Sequence, residues 1–304
     1  MLDMLATASG DAIRWSELGL TPGIELGFFT LRYYSLAYLL GLIFAYWHTS
    51  KMIKAPGAPM AQEHVDDLFF YCVVGVILGG RLGYLTFYEP SLWTDFSGEG
   101  WISWRALRMW DGGMSFHGGL VGVVAAIAWV CWRGKLPFIR VADYISVSVG
   151  MGMLLGRLAN FNNGELWGRP AGPDAPLAMI FPGDPLGLPR HPSQLYQAFG
   201  EGLVVLVVML CLFWLTRARF RPGLLVGVFT VMIGIARFVV EFFRQPDAQL
   251  TEFALRTGLS MGQWLTIPLI LLGLALIAWS LSRKPMASGA AKRPVAAEGE
   301  PEAV

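Results

Sequence analysis

The chain alternates long apolar runs with short polar breaks. Seven runs stand out: Phe28–His48, Leu68–Tyr88, Met114–Trp132, Val141–Phe161, Leu195–Leu215, Gly223–Phe243 and Trp264–Leu281. Each is near the ~20 residues that a helix needs to cross ~30 Å of hydrocarbon. The pattern therefore predicts an all-α membrane protein with about seven transmembrane helices. The last run is clean and the first carries Arg32 only near its outer end, whereas the second, fourth and sixth are interrupted by arginine. Between the second and third, Glu89 to Asp111 holds Trp93, Trp101, Trp104 and Trp110 together with Arg105 and Arg108. That mixture suits an amphipathic arm lying in the outer membrane interface. The stretch 162–192 is dense in Pro and Gly and predicts a small extramembrane cap. From Pro285 onward no apolar period is left, which predicts disorder. The expected organisation is a polytopic membrane domain over 1–284, with a cap at about 162–192, and a disordered cytoplasmic tail over 285–304.

Composition supports the membrane class: of 304 residues, 55% are hydrophobic and only 15% charged, too apolar for an ordinary soluble domain. A net charge of +1 without a basic patch gives no footprint for nucleic acid. Cys72, Cys131 and Cys211 all fall inside apolar runs without metal-ligand spacing, so they read as small buried hydrophobes. Residues 1–14 include acids and lack a long apolar core, so no cleavable signal peptide is expected. With the N-terminus outside, the inner loops carry twelve lysines and arginines and the outer segments seven. The excess on short inner loops predicts N-terminus out and C-terminus in.

Polar residues inside the runs carry the chemistry. Counted at 1.5 Å per residue from the inner ends, Arg81, Arg157 and Arg237 fall roughly 20–24 Å across. Arg32, Glu201, Glu241, Tyr34, His117 and Asn160 also fall in the outer half. Asn160 lies one turn beyond Arg157 and shares its face, and Arg237 and Glu241 have the i, i+4 spacing of an ion pair. Structural polar residues scattered at random would not favour one leaflet so strongly. The sum suggests a polar cavity open to the outer leaflet, with more arginine than carboxylate. The planar fork of arginine suits phosphate, and the abundant phosphate at that depth is a phospholipid headgroup. His117, beside paired glycines, is open to a catalytic or a structural role.

Four strings carry a resemblance. Gly156-Arg157-Leu158-Ala159-Asn160-Phe161-Asn162-Asn163-Gly164-Glu165 closely resembles the signature of the bacterial prolipoprotein diacylglyceryl transferases. The blocks from Trp110 to Gly119, from Arg190 to Tyr196 and from Val240 to Asp247 also look like that family. The resemblance implies transfer of the diacylglyceryl group of phosphatidylglycerol onto the lipobox cysteine thiol of a prolipoprotein signal peptide. Glycerol phosphate is released, in the first step of lipoprotein maturation. It further implies a multi-pass protein of the bacterial inner membrane, an active site towards the outer leaflet, and no metal or organic cofactor.

Such chemistry needs help in forming a thiolate, because a thiol of pKa ~8.5 is mostly protonated near neutrality. It also needs fixed positive donors for the charge growing on the leaving phosphate. On this resemblance Arg157 and Arg237 grip the phosphate, Asn160 adds a hydrogen bond, and His117 is a general base or a positioning group. Tyr34 matches a tyrosine of the family's site, Glu241 orients Arg237, and Gly168 and Glu165 match motif positions. Arg81 joins the binding set. Ile233 and Ile235 stand where some relatives have a tyrosine before the arginine of the sixth run, a departure from the pattern. Among rival classes, a secondary transporter is expected to show internal repeats, which the chain lacks. A lipid-binding scaffold would keep the arginines without needing His117. An intramembrane protease would need a serine–lysine or paired-aspartate set that is absent from the runs.

Overall fold

The computed structural model describes residues 12–27, 30–172, 175, 177–245 and 256–287. Among these the chain is mostly helical: α1 (Tyr33–Met52), α2 (Gln62–Phe87), α3 (Phe116–Arg133), α4 (Phe138–Asn162), α5 (Ser193–Leu215), α6 (Leu224–Val240) and α7 (Met261–Leu281). Four short strands complete it. β1 (Ile13–Arg14) pairs in parallel with β4 (Met179–Ile180), and β2 (Gly23–Glu25) pairs antiparallel with β3 (Thr30–Arg32). Five helices, α2 to α5 and α7, are long and apolar enough to cross a bilayer, so the chain is a membrane protein. α6 is shorter, at 17 residues. α1 has 20 residues, but four tyrosines, Trp47 and His48 dilute its hydropathy.

The helix ends differ from the apolar runs for local reasons. Thr30–Arg32 is a strand, so Arg32 precedes α1 and is not part of a span, contrary to expectation. α6 stops at Val240 instead of reaching Phe243. The turn that follows gives the Phe243 carbonyl to the amide of Arg169 at 2.8 Å. α7 starts three residues early because Ser260 and Gln263 cap it reciprocally, at 3.0 and 3.2 Å. Ser193 opens α5 without capping it. Pro192 holds the cap position, and the Ser193 hydroxyl donates to the carbonyl of Leu166 at 3.1 Å. The expected disordered tail lies outside the described residues from 288 onward.

The chain forms two compact units. Of the described residues, one unit combines those up to 48 with those between 143 and 287, and the other is 49–142. In the second unit α2 and α3 pack backbone to backbone. A methyl group built on Gly122 would meet the Gly75 carbonyl oxygen at 2.0 Å, and one on Gly118 would meet that of Gly79 at 2.2 Å. Small residues at helix contacts in membranes allow such approach.

In the first unit Tyr144, Met209, Phe213 and Leu225 are fully buried, with the Tyr144 and Phe213 rings edge to face at 5.1 Å. Asp143 of α4 reaches the start of α6 and accepts the amides of Gly223 at 2.8 Å and Val226 at 2.9 Å. Helix starts leave such amides unpaired, so this carboxylate caps α6 from a neighbouring helix. The segment after α4 shares a small core with the N-terminal residues, made of Trp15, Met179 and Phe181. Beside it Arg190 and Asp184 form a buried two-pronged ion pair, with both N–O distances 2.8 Å. The amides of Leu186 and Leu188 complete the Asp184 shell.

Candidate active site

The site is built where α4, α5 and α6 of the first unit come together. α4 carries Arg157 and, one turn on, the buried Asn160. The helix breaks at Gly164, whose φ of +65° suits glycine. Glu165 follows and is held from both sides. Asn160 donates to its carboxylate at 2.8 Å, and Gln194 of α5 donates to its carbonyl at 2.6 Å. The strand-like segment beyond is stitched across the other helix ends. Gly168 gives its amide to the His191 carbonyl at 2.8 Å, and Arg169 gives its Nε to the Arg244 carbonyl at 2.9 Å. A Cβ on Gly168 would meet the Phe243 carbonyl oxygen at 2.4 Å and that of His191 at 2.7 Å, so this crossing admits only glycine.

α5 opens into a π turn over Ala198–Val204, a local widening often found at functional sites. The turn presents Glu201, whose side chain is 1% exposed. Two glycines flank it. A methyl group on Gly202 would meet the Leu154 backbone of α4 at 2.6 Å, and one on Gly200 would touch Ala236 of α6 at 3.6 Å. Gly202 thus brings the α4 and α5 backbones close beside the carboxylate, with α6 in ordinary contact on the other side.

Arg157 approaches Glu201 from α4 at 3.8 Å, and Arg237 approaches from α6 at 3.9 Å. Arg237 is also paired with Glu241 at 3.3 Å. Gly262 of α7 leaves room for that carboxyl, since a Cβ there would meet it at 2.9 Å. Arg157 donates one long hydrogen bond to Asn160, at 3.4 Å. Arg237 makes ion pairs but no hydrogen bond among the described residues. A guanidinium has five N–H donors, so both arginines keep donors for an incoming anion.

Tyr34, at the start of α1, lies within electrostatic reach of Arg157. Its hydroxyl is 3.2 Å from that of Tyr38, and the two rings stand edge to face. His191 stacks edge on against Phe243, and burial pushes its imidazole below the usual histidine range.

The first unit therefore brings together Arg157, Asn160, Arg237, Glu241, Glu165 and Gly168, with Tyr34 nearby. The second unit holds His117 and Arg81. His117 is the second residue of α3, exposed, with its ring edge on to Phe116 at 5.6 Å. Arg81 is buried and committed to main chain. It donates to the carbonyls of Ala106, Gly112, Gly113 and Arg105 at 2.9, 2.5, 3.2 and 2.6 Å. Sequence reasoning noted Glu201 only for its depth and missed it as the centre of the cluster. The available signal was a carboxylate between two glycines inside an apolar run.

Comparison with known proteins adds to this geometry. A family model described as prolipoprotein diacylglyceryl transferase matches residues 23–279. A protein of Erythrobacter litoralis (strain HTCC2594) is 60% identical over 293 residues, covering 96% of this chain and 100% of that protein. One of Zymomonas mobilis subsp. mobilis is 44% identical over 282 residues, covering 90% of this chain and 95% of its own. Both carry the name phosphatidylglycerol--prolipoprotein diacylglyceryl transferase.

Proposed function

The chain belongs to the prolipoprotein diacylglyceryl transferase family, and from that premise we propose that it transfers the diacylglyceryl group of phosphatidylglycerol to a prolipoprotein thiol. The acceptor is the lipobox cysteine of a signal peptide. Its sulfur attacks the glycerol carbon that bears the phosphate. A C–S thioether bond forms, the C–O bond breaks with its electrons going to oxygen, and glycerol phosphate leaves. The thiol proton passes to a base.

One observation carries this proposal. Arg157 and Arg237 flank a single buried carboxylate while keeping N–H donors uncommitted. Arg190 and Arg81, by contrast, spend theirs on protein acceptors. Two forked donors on neighbouring helices suit a phosphodiester that gains charge as it leaves. Asn160 adds a hydrogen bond, and Glu241 orients Arg237. Glu165 and Gly168 hold the strap beside them, and Tyr34 contributes its hydroxyl. His117 acts on the thiol as general base or as a positioning group. Arg81 contributes through the loop it holds and not by gripping phosphate.

Seven spans, an N-terminus outside, a C-terminus inside and a site towards the outer leaflet complete the proposal. So do an interfacial arm over Glu89 to Asp111 and a cap over 162–192. The bacterial inner membrane is the expected location, because it offers phosphatidylglycerol and newly exported signal peptides together.

The test uses purified protein in detergent, phosphatidylglycerol and a signal-type peptide with one cysteine. A diacylglyceryl mass on that peptide, with glycerol phosphate released in step, is the expected result. Intact protein that yields neither product would leave a lipid-binding scaffold.

A further inference from the structure

Glu201 lies at the meeting point of three helices and has no part in the bond changes just described. Its carboxylate is almost completely buried, yet its Oε1 has no hydrogen-bond partner among the described residues. Burying a carboxylate without hydrogen bonds is costly, and native chains seldom keep such a group without a reason. The same chain shows what a purely structural pair looks like. Asp184 and Arg190 close to 2.8 Å at both prongs, and two amides fill the remaining acceptor sites. Glu201 instead stands 3.8 Å from Arg157 and 3.9 Å from Arg237, too far for a hydrogen bond and near enough for strong attraction.

We propose that Glu201 is a positioning residue, the shared counter-charge that holds Arg157 and Arg237 at the spacing a phosphate needs without consuming their donors. The inference rests on the transferase proposal and deepens it.

Without that carboxylate two like charges would face each other, and their guanidiniums would swing apart. With it, the four side chains Arg157, Arg237, Glu201 and Glu241 are formally neutral together. A neutral set grips the singly charged phosphodiester only moderately. As the C–O bond breaks, the phosphate gains charge, and the two guanidiniums can shift their attraction from Glu201 to it. Interaction that strengthens only towards the transition state raises turnover and not ground-state binding. The π turn fits this role, because it is the local backbone change that aims Glu201 between α4 and α6.

The experiment compares wild type with Glu201→Gln, which keeps size and loses charge, and Glu201→Asp, which keeps charge and retracts it by one methylene. Steady-state turnover of phosphatidylglycerol is measured with a cysteine peptide, and binding of glycerol phosphate is measured separately by calorimetry. For Glu201→Gln we expect kcat to fall at least roughly tenfold while KM for the lipid does not rise. Its binding of glycerol phosphate should be at least about threefold weaker, because the two guanidiniums no longer stand at the spacing the phosphate needs. Glu201→Asp should recover part of the kcat. A Gln variant with wild-type kcat, or an Asp variant no better than Gln, overturns the inference. If the Gln variant does not survive purification, a wild-type kcat in Glu201→Asp overturns it alone, and a lowered kcat with unchanged KM supports it. Wild-type protein that releases no glycerol phosphate would sink the transferase proposal instead. The calorimetric comparison still decides the role of Glu201 in that case, and a Gln variant that binds as tightly as wild type or tighter would overturn it.

Discussion

Asn160 donates its side-chain amide to the Glu165 carboxylate at 2.8 Å, across the broken end of α4. Its carbonyl oxygen faces Arg157 at 3.4 Å, so one buried amide links the charge on the helix to the strap beyond it. Replacing Asn160 with Ala removes both contacts and leaves a partly buried carboxylate without that donor. The expected cost is about 1–3 kcal/mol of stability, seen as a lower melting temperature in detergent. Transfer should fall further than stability does, because Arg157 loses its tether.

Gly168→Ala should be disabling although it adds one methyl group. The new Cβ would press on two main-chain carbonyl oxygens, which cannot give way as a side chain can. Overpacking of this kind costs about 1–3 kcal/mol, and it would part the strap from His191 and Phe243. A thermal melt together with a turnover assay checks this, with both expected to drop.

Gly122→Ala tests the close packing of α2 on α3. Its Cβ would stand 2.0 Å from the Gly75 carbonyl oxygen, so the helices must separate. We expect a loss of thermal stability and easier proteolysis within 49–142. A variant as stable as wild type would contradict this close approach of the two helices.

The Asp184–Arg190 pair sets an acid limit. Burial alone would raise the Asp184 pKa, but the Arg190 fork and the amides of Leu186 and Leu188 outweigh it and hold the carboxyl below its usual range. A lowered folded-state pKa contributes stability that is fully present above the unfolded value of about 3.9. That contribution fades as pH falls from there through the folded value. Asp184→Asn should lower the melting temperature at neutral pH and flatten its decline below about pH 4. Breaking one side of a buried pair typically costs about 3–5 kcal/mol. Melting curves at several pH values check both effects.

His117→Ala should keep the fold, since the imidazole is exposed and stands edge on to the neighbouring Phe116 ring. Turnover should fall while the melting temperature stays within a degree or two of wild type. A variant with undiminished turnover would remove His117 from the chemistry.

Much of this was legible in the sequence because bilayer thickness leaves little freedom. Runs of about twenty apolar residues must become helices, and the helices appear close to those runs. The pairs Arg157–Asn160 and Arg237–Glu241 follow from helical spacing alone. What stayed hidden depends on long-range contact or on departures from regular helix. No periodicity announces that α5 widens into a π turn and so aims Glu201. Arg81 and Arg157 look alike in sequence, each following a glycine in an apolar run. Only the main-chain carbonyls around Arg81 tell a clamp from an anion site. Nothing in the sequence around Asp143 signals that the open amides at the start of α6 lie against it.

The central claim is that Arg157 and Arg237 together hold the departing phosphate. The most direct measurement is kcat and KM for phosphatidylglycerol in folded Arg157→Ala and Arg237→Ala proteins, with glycerol phosphate release as the readout. Loss of one such donor should lower kcat/KM by roughly a hundred- to a thousand-fold in each variant. The double variant should be little worse than either single one, because the two act as a unit. Either variant releasing glycerol phosphate at the wild-type rate would contradict the claim.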